Sequence, residues 1–125
     1  MAAHDTLELP FPGGCLRLAA GNWCHVVLER EGRTHRLGAD AWKIVVERLL
    51  KGLVGPLEGA GSGKIDGATV YWVLSLSEDH ATLYVAPRPG GRTLFVQDAA
   101  GALVDRIDLT EQLAQGWAEA LAPER

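Results

Sequence analysis

The sequence predicts an α+β fold in which two ββββα repeats form one pseudo-symmetric domain with antiparallel sheets. Three observations predict this fold class. Short runs of β-forming residues alternate with turn residues in both halves of the chain. Each series of runs ends in one amphipathic helical pattern. A glycine-rich segment lies between the halves. Residues 1–125 are therefore expected to form a single domain with repeat 1 at 5–53, a joint at 54–67 and repeat 2 at 68–122.

Four short runs of β-forming residues give the strands predicted in repeat 1, at residues 6–9, 15–19, 23–29 and 34–37. The first run stops at a Pro-Phe-Pro-Gly-Gly segment, and because proline has no N–H for a ladder, we expect a short edge strand. Turn residues at Glu31-Gly32 predict a two-residue hairpin loop. That loop pairs Leu28 with His35 and Val26 with Leu37.

Repeat 1 ends in an amphipathic helix predicted over residues 41–53, with Asp40 as its N-cap. Apolar side chains recur at helical spacing on one side, and charged side chains occupy the other. The apolar stripe consists of Trp42, Val46, Leu49, Leu50 and Leu53. Gly52 and the Gly55-Pro56 pair are expected to end the helix.

Repeat 2 shows the same order of elements, with strands predicted at 68–76, 81–86, 93–97 and 103–107 and a helix at 110–121. Asp108 and Glu111 have the spacing of a capping box, with Asp in the place of Ser or Thr. The helical stripe consists of Leu113, Trp117, Ala120 and Leu121.

The two faces of the second sheet are both predicted to be apolar. Pairing Leu74 with Leu83, Val85 with Leu94 and Val96 with Leu103 follows from the turn lengths. One face, which the helices are expected to cover, then carries Trp72, Leu74, Leu83, Val85, Leu94, Val96 and Leu103. The other face carries Tyr71, Val73, Tyr84, Phe95 and Val104. Three explanations remain open for this aromatic face: an interface between copies or repeats, a base-stacking platform, or a second layer of core.

Composition excludes a protein that attracts nucleic acid through its overall charge. The 125 residues carry 12 Lys+Arg against 16 Asp+Glu, a formal net charge of −4. A local basic patch is still predicted, because Arg30, Arg33 and Arg36 cluster at the first-repeat hairpin and Arg17 lies one strand away. This patch is either a solvated hairpin tip or a contact for nucleic acid or an acidic partner.

The glycine-rich segment does not have the sequence of a phosphate-binding loop. Glu58 stands where a Walker loop needs its first glycine, and Ile65 stands where it needs Ser or Thr. A strand, rather than a helix that would hold phosphate at its N-terminus, is predicted to follow. We therefore expect a flexible joint.

No pattern of catalytic or metal-binding residues is recognisable. Cys15 and Cys24 lack partners at zinc-site spacing and are expected to be reduced core thiols. The four histidines are scattered, and no Ser/His/Asp or Cys/His arrangement is evident. The sequence thus predicts no enzyme, no cofactor and no metal site.

The N-terminal residues 1–5 contain neither a basic segment nor the start of an apolar run, so no signal peptide is predicted. The apolar stretches are also far shorter than the roughly 20 residues of a membrane span. We expect a cytoplasmic protein without membrane contact. Arginine outnumbers lysine and Ala and Gly are abundant, as is typical of GC-rich bacterial genomes.

The doubled ββββα pattern, over residues 15–53 and 68–122, resembles the fold of the PC4, PUR and whirly single-stranded nucleic-acid binders. Residues 23–50 and 83–121 carry most of this likeness. The resemblance implies that β4α repeats pair about a two-fold or pseudo-two-fold axis. It also implies curved sheets that present aromatic and basic residues to a single strand.

We therefore expect a non-enzymatic binding protein, a homodimer, with single-stranded DNA or RNA as its ligand. Base stacking is assigned to Tyr71, Tyr84 and Phe95, and phosphate contacts to Arg17, Arg33 and Arg36. The alternative is a protein-interaction or dimerisation module, such as a small regulator or inhibitor, that uses the same aromatic face.

Overall fold

The computed structural model describes residues 6–59 and 61–122. Some expectations lie outside the described residues. They concern residues 1–5, for the signal peptide and the first residue of repeat 1, and Ala60 of the joint.

The first half of the chain forms a four-stranded antiparallel sheet followed by a helix. Sheet 1 consists of β1 (Thr6–Phe11), β2 (Gly14–Ala19), β3 (Cys24–Arg30) and β4 (Arg33–Asp40), in that order, and α1 (Trp42–Val54) follows it. The predicted two-residue hairpin loop is confirmed, with both Glu31 and Gly32 at positive φ.

The second half forms a five-stranded antiparallel sheet followed by a helix. Sheet 2 consists of β5 (Gly63–Ile65), β6 (Ala68–Leu74), β7 (Thr82–Arg88), β8 (Gly91–Gln97) and β9 (Leu103–Thr110), and α2 (Glu111–Leu121) follows it. The α+β class is confirmed. The short strand β5 lies inside the predicted joint, because an Asp66-Gly67 turn with positive φ at both residues folds it back onto β6.

Strand β1 is an edge strand, as predicted, but it continues through Pro10 to Phe11. An edge strand tolerates proline because only one side of its ladder has a neighbour. The Pro10 carbonyl oxygen accepts a 2.7 Å hydrogen bond from the indole Nε1–H of Trp117. Helix α2 is therefore fastened to the first strand of the other unit.

A β-bulge in sheet 1 alters the predicted pairing. Leu28 pairs with His35 as expected, whereas Val26 pairs with Gly38 and not with Leu37. Gly38 has φ +111°, and a Cβ there would lie 2.8 Å from the Cβ of Leu76. The bulge thus brings the backbone of β4 close to the second unit, where only glycine fits.

Two bulges in sheet 2 exchange residues between its faces. Leu74–Leu83 and Val85–Leu94 pair as predicted, but the irregularity between Trp72 and Leu74 pairs Trp72 with Tyr84. The second irregularity leaves Val96 opposite Asp105 and not opposite Leu103, which is 39 % exposed. Because side chains alternate along a strand, a bulge reverses the predicted face of every residue beyond it.

The placement predicted for Tyr71, Trp72 and Val73 is therefore wrong. Tyr71 pairs with Val85 and packs, like the buried Val73 and like Val104, against the hydrophobic core that joins the two sheets and the two helices. Trp72 lies on the opposite face. We call the face of each sheet that packs on this core its inner face and the opposite face its outer face.

One hydrophobic core joins both sheets and both helices. Its largest fully buried members come from both units and include Leu9, Leu16, Leu28, Leu49, Leu83, Leu94, Leu109 and Trp117. The helices contact each other, and α1 also packs on β6. Within α1, Val45 and Gly52 are buried, so Gly52 lies inside the helix and does not end it.

Neither predicted carboxylate caps a helix. Asp40 accepts a hydrogen bond from the adjacent Ala41 N–H, and the N-cap of α1 is Ala41, which makes no side-chain cap. Strand β9 extends to Thr110, whose hydroxyl oxygen accepts from the Leu113 N–H and caps α2. Asp108 instead accepts from the Thr93 hydroxyl within the sheet. Within the described ranges, no helix is both long and apolar enough to cross a membrane.

Candidate functional site

The outer face of sheet 1 is polar. Arg17, which was predicted to contact phosphate, is already bonded there to two carboxylates. Arg17 lies between Glu8 and Val27 in the sheet register. Its guanidinium donates to both carboxylate oxygens of Glu29, at 2.7 and 3.0 Å, and to Glu8 at 3.2 Å. These hydrogen bonds, chiefly those to Glu29, raise the pKa of Arg17 above its ordinary value. Arg17 thus has its carboxylate partners within the sheet.

The other two predicted arginines do not join Arg17. Arg33 lies at the hairpin end, with Nη2 3.5 Å from Oδ2 of Asp105 on β9. Arg36 is exposed and lies next to Val27 in the register, and its side chain makes no hydrogen bond or ion pair to another described residue. The structure places the arginines on sheet 1 and Tyr84 and Phe95 on sheet 2, so it does not assemble the predicted site.

The outer face of sheet 2 is largely covered by its own residues. Phe95 is only 2 % exposed and lies between Tyr84 and Arg106 in the register. The Arg106 guanidinium lies 5.5 Å from the Phe95 ring centroid. A small second core surrounds this ring and consists of Ile65, Val70, Ala86 and Phe95, with Ala68 and Tyr84 packed against it. Phe95 is therefore second-layer core, and its ring is not open to a base.

Trp72, which the sequence assigned to the covered face, is the large aromatic side chain exposed on sheet 2. Its exposed fraction is 41 %. The guanidinium carbon of Arg48 on α1 lies 4.2 Å from the Trp72 ring centroid, which is a close cation–π contact. The apolar run from Val70 to Leu74 interrupts strict alternation, and this is the sequence signal that could have indicated the bulge.

Helix α1 reaches Trp72 because it packs closely on β6. A Cβ at Gly52 would lie 2.8 Å from Cγ2 of Val73, so the missing side chain allows the close approach. Arg48 and Lys51 then project from α1 beside the Trp72 strand. Neither residue was predicted as functional, since both occur on what reads as an ordinary charged helix face.

A cleft of about 660 Å³ opens between α1, the joint and β6, and we call it the Trp72 cleft. This volume lies within the roughly 300–1,000 Å³ typical of ligand sites. The charged side chains that line it are Glu47, Arg48, Lys51 and Glu58. Tyr71 lines the cleft from the inner side, and its hydroxyl donates a 3.3 Å hydrogen bond to the Gly59 carbonyl oxygen.

The joint forms one wall of the Trp72 cleft and is bonded to β6. The Ser62 N–H donates to the Val70 carbonyl oxygen at 2.7 Å, and the Trp72 N–H donates to Ser62 Oγ at 3.1 Å. Gly61 has φ +77°, and a Cβ there would lie 2.6 Å from Cγ2 of Thr69. Strand β5 follows this wall, so no helix N-terminus stands there to hold a phosphate.

Neither cysteine is held as a reactive thiolate. Burial raises the pKa of the Cys24 thiol to about 12. Burial and the neighbouring Glu8 also raise the pKa of Cys15. Both shifts disfavour the nucleophilic thiolate. In the described part of the chain, no three His, Cys, Asp or Glu side chains are placed to share a metal ion.

No protein-family model matches this chain, and no curated protein or solved structure matches it either.

Proposed function

We propose that this chain is a non-enzymatic binding protein that holds single-stranded DNA or RNA at the Trp72 cleft. The observation that carries the proposal is the Trp72–Arg48 pair, an indole that is 41 % exposed with a guanidinium 4.2 Å from its centroid. Every base has a π-face, so stacking on an exposed indole is worth about 1–3 kcal/mol without sequence preference. The resemblance to the PC4, PUR and whirly folds supports this choice of ligand.

In this proposal, phosphate contacts come from α1. Arg48 and Lys51 are three residues apart, so they lie on the same side of the helix, and both line the cleft. Glu47 and Glu58 offset their charge. Two phosphate contacts on a single strand give a shallow dependence of log K on log salt, with a slope of about −1.4. Stacking therefore supplies most of the affinity.

The test compares two exposed tryptophans. Trp72→Ala removes the stacking surface, and Trp23→Ala is the matched control, because Trp23 is 56 % exposed in the turn between β2 and β3 and does not line the cleft. The readout is fluorescence anisotropy of a labelled single-stranded oligonucleotide at two salt concentrations. We expect Trp72→Ala to weaken binding about tenfold or more and Trp23→Ala to leave it unchanged.

Two results would overturn the proposal. One is the absence of salt-dependent binding by the unmodified chain to any oligonucleotide, DNA or RNA. The other is an equal loss in both tryptophan variants, which would mean that the contact is nonspecific. Arg48→Met, which keeps the length of the side chain without its charge, should reduce the salt slope by about 0.7 if Arg48 contacts a phosphate.

A second function is a protein-interaction or homodimerisation module. It is favoured by the formal net charge of −4 on the chain, which does not attract nucleic acid, and by the exposed ring of Trp72. In that case Trp72 is buried against protein and not against a base. Light scattering coupled to size-exclusion chromatography separates the two functions. Loss of a dimer in Trp72→Ala but not in Trp23→Ala would support the protein interface.

A further inference from the structure

Two units share the core of this protein, and one short segment joins them. Unit 1 runs from β1 to α1, and unit 2 runs from β5 to α2. Residues 56–58, which we call the hinge, have no regular secondary structure, and none of them makes a hydrogen bond to another described residue. The side chain of Leu57 packs against the core. No backbone ladder therefore has to break when the hinge changes its course.

The hinge leaves α1 in an extended conformation. Gly55, directly before it, has φ −78° and ψ 167°. Pro56 fixes its own φ and disfavours a helical conformation in the residue before it, so α1 does not continue into the hinge. Three extended residues span about 10 Å. This exit from α1 is the same whether unit 2 packs on its own unit 1 or on that of another copy.

The contacts between the units do not depend on the connection between them. The buried Asp105 of unit 2 accepts a hydrogen bond from Arg30 of unit 1. Further hydrogen bonds of 2.7 to 2.9 Å run from Trp117 to Pro10, from Ala81 to Arg36, and from Arg92 to Gly52 and Gly55. A second copy presents the same donors and acceptors, so each of these bonds forms equally well between copies.

Each unit needs the other to cover its inner face. The fully buried leucines of the shared core come from both units and include Leu9, Leu16 and Leu28 of unit 1 and Leu83, Leu94 and Leu109 of unit 2. A chain whose units are apart exposes both apolar faces to water, which favours their association. The surface that fits each face is the other unit, and only a second copy supplies it from outside the chain.

We infer that two copies of this chain exchange units across the hinge and form a dimer, in which unit 1 of each copy packs on unit 2 of the other. The Trp72 cleft is then shared, because Arg48 and Lys51 belong to α1 of one copy and Trp72 to β6 of its partner. The dimer holds two complete clefts. The shared binding site rests on the proposed function, whereas the exchange itself does not.

The test is isotope-filtered NMR on the full chain. Labelled and unlabelled protein are unfolded together in urea and refolded together at high concentration. Light scattering coupled to size-exclusion chromatography should show a dimer fraction that rises with the protein concentration during refolding. In this dimer, nuclear Overhauser contacts between copies should connect the indole N–H of Trp117 to Pro10. A monomer at every refolding concentration, or a dimer without these contacts, would refute the exchange.

The length of the hinge should control the dimer fraction. Deleting Pro56 and Glu58 shortens the hinge by about 7 Å, so unit 2 no longer reaches its own unit 1 and the dimer becomes the main form. Inserting Gly-Ser-Gly-Ser between Leu57 and Glu58 should favour the monomer, because a longer connection closes without strain. The same insertion between Gly21 and Asn22, in the turn between β2 and β3, is the matched control and should change nothing.

Circular dichroism shows whether the shortened chain folds. If it does not fold, the lengthened chain and its control decide the question. A dimer fraction that does not depend on hinge length would contradict the exchange.

The exchange and the proposed function fail separately. Trp72 stays exposed in the exchanged dimer, so Trp72→Ala should leave the dimer fraction unchanged, and loss of the dimer would indicate an interface through Trp72 instead. A chain that exchanges units but binds no oligonucleotide refutes the proposed function alone. A chain that binds oligonucleotides through Trp72 but stays monomeric refutes the exchange alone.

Discussion

The two units repeat the same order of strands and helix but expose opposite kinds of outer face. On sheet 1 the outer face carries ion-paired polar residues such as Arg17 and Glu29. On sheet 2 it carries a second small core around Phe95. A repeated sequence pattern therefore specifies a repeated backbone without specifying a repeated surface. The exposed Trp72 pairs with Tyr84, which packs against the second core.

The two helices differ in the same way. Helix α2 has a side-chain cap from Thr110, and its Gly116 faces open space. Helix α1 has no side-chain cap and depends on contacts with sheet 2 through Gly52 and Arg92. Helix α1 thus relies on contacts with sheet 2 where α2 has a side-chain cap.

The largest expected effect tests whether the outer face of sheet 2 is a true core. Phe95→Ala should lower the free energy of unfolding by about 3–5 kcal/mol, because it leaves a cavity in a site that is 2 % exposed. Urea denaturation followed by circular dichroism measures this loss. Val70→Ala on the same face should cost clearly more than Val27→Ala, its half-buried counterpart on sheet 1. Equal costs for the two valines would remove the contrast between the faces.

The next effect tests the ionic contact between the units. Asp105→Asn should cost about 3 kcal/mol at pH 7, because Arg30 and His35 lose a buried carboxylate. Urea midpoints and slopes at several pH values provide the measurement.

The pH dependence of this variant follows from the pKa of Asp105. Burial alone would raise this pKa, but hydrogen bonds from Arg30, the Arg106 N–H and His35 lower it below the ordinary 3.8. A carboxyl group with a lowered folded-state pKa stabilises the protein above its unfolded pKa, and this stability disappears as pH falls through the folded value. The difference between wild type and Asp105→Asn should therefore be full at neutral pH and shrink below about pH 4. A constant difference at all pH values would contradict the assignment.

A pair of helical glycines should respond with opposite signs. Gly52→Ala forces a methyl group against Val73 and should destabilise the protein by about 1–3 kcal/mol. Gly116→Ala meets no atom within 4 Å and should stabilise it by up to about 1 kcal/mol. Thermal unfolding of both variants measures the signs. Stabilisation by Gly52→Ala would show that α1 does not pack closely on β6.

The smallest effect compares the helix starts. Thr110→Ala removes the cap of α2 and should cost about 1 kcal/mol. Asp40→Ala should cost less, because the Asp40 carboxylate bonds only to the adjacent Ala41 N–H. Urea midpoints of the two variants give the comparison, and the reverse order would mean that Asp40 caps α1 after all.

The sequence was sufficient for elements that depend on neighbouring residues. The strands other than β5, both helices and the pairs beside two-residue turns, such as Leu28 with His35, follow from local alternation and turn chemistry. The bulge that exchanges Tyr71 and Trp72 is marked in the sequence only by the apolar run from Val70 to Leu74, and its Val73 packs against Gly52 of a distant helix. One inserted residue thus places Tyr71 on the inner face and leaves Trp72 exposed on the outer face.

The bonds from Arg92 to the end of α1 have a consequence for how the chain folds. From β8, the Arg92 guanidinium donates to the carbonyl oxygens of Gly52 and Gly55 at 2.7 and 2.8 Å, and burial lowers its pKa. The last turn of α1 is therefore completed by a strand that the ribosome makes some 40 residues later. During synthesis these two carbonyl groups lack their Arg92 partner until β8 has been made. We therefore expect the amides of the last turn of α1 to become protected from hydrogen exchange together with those of sheet 2.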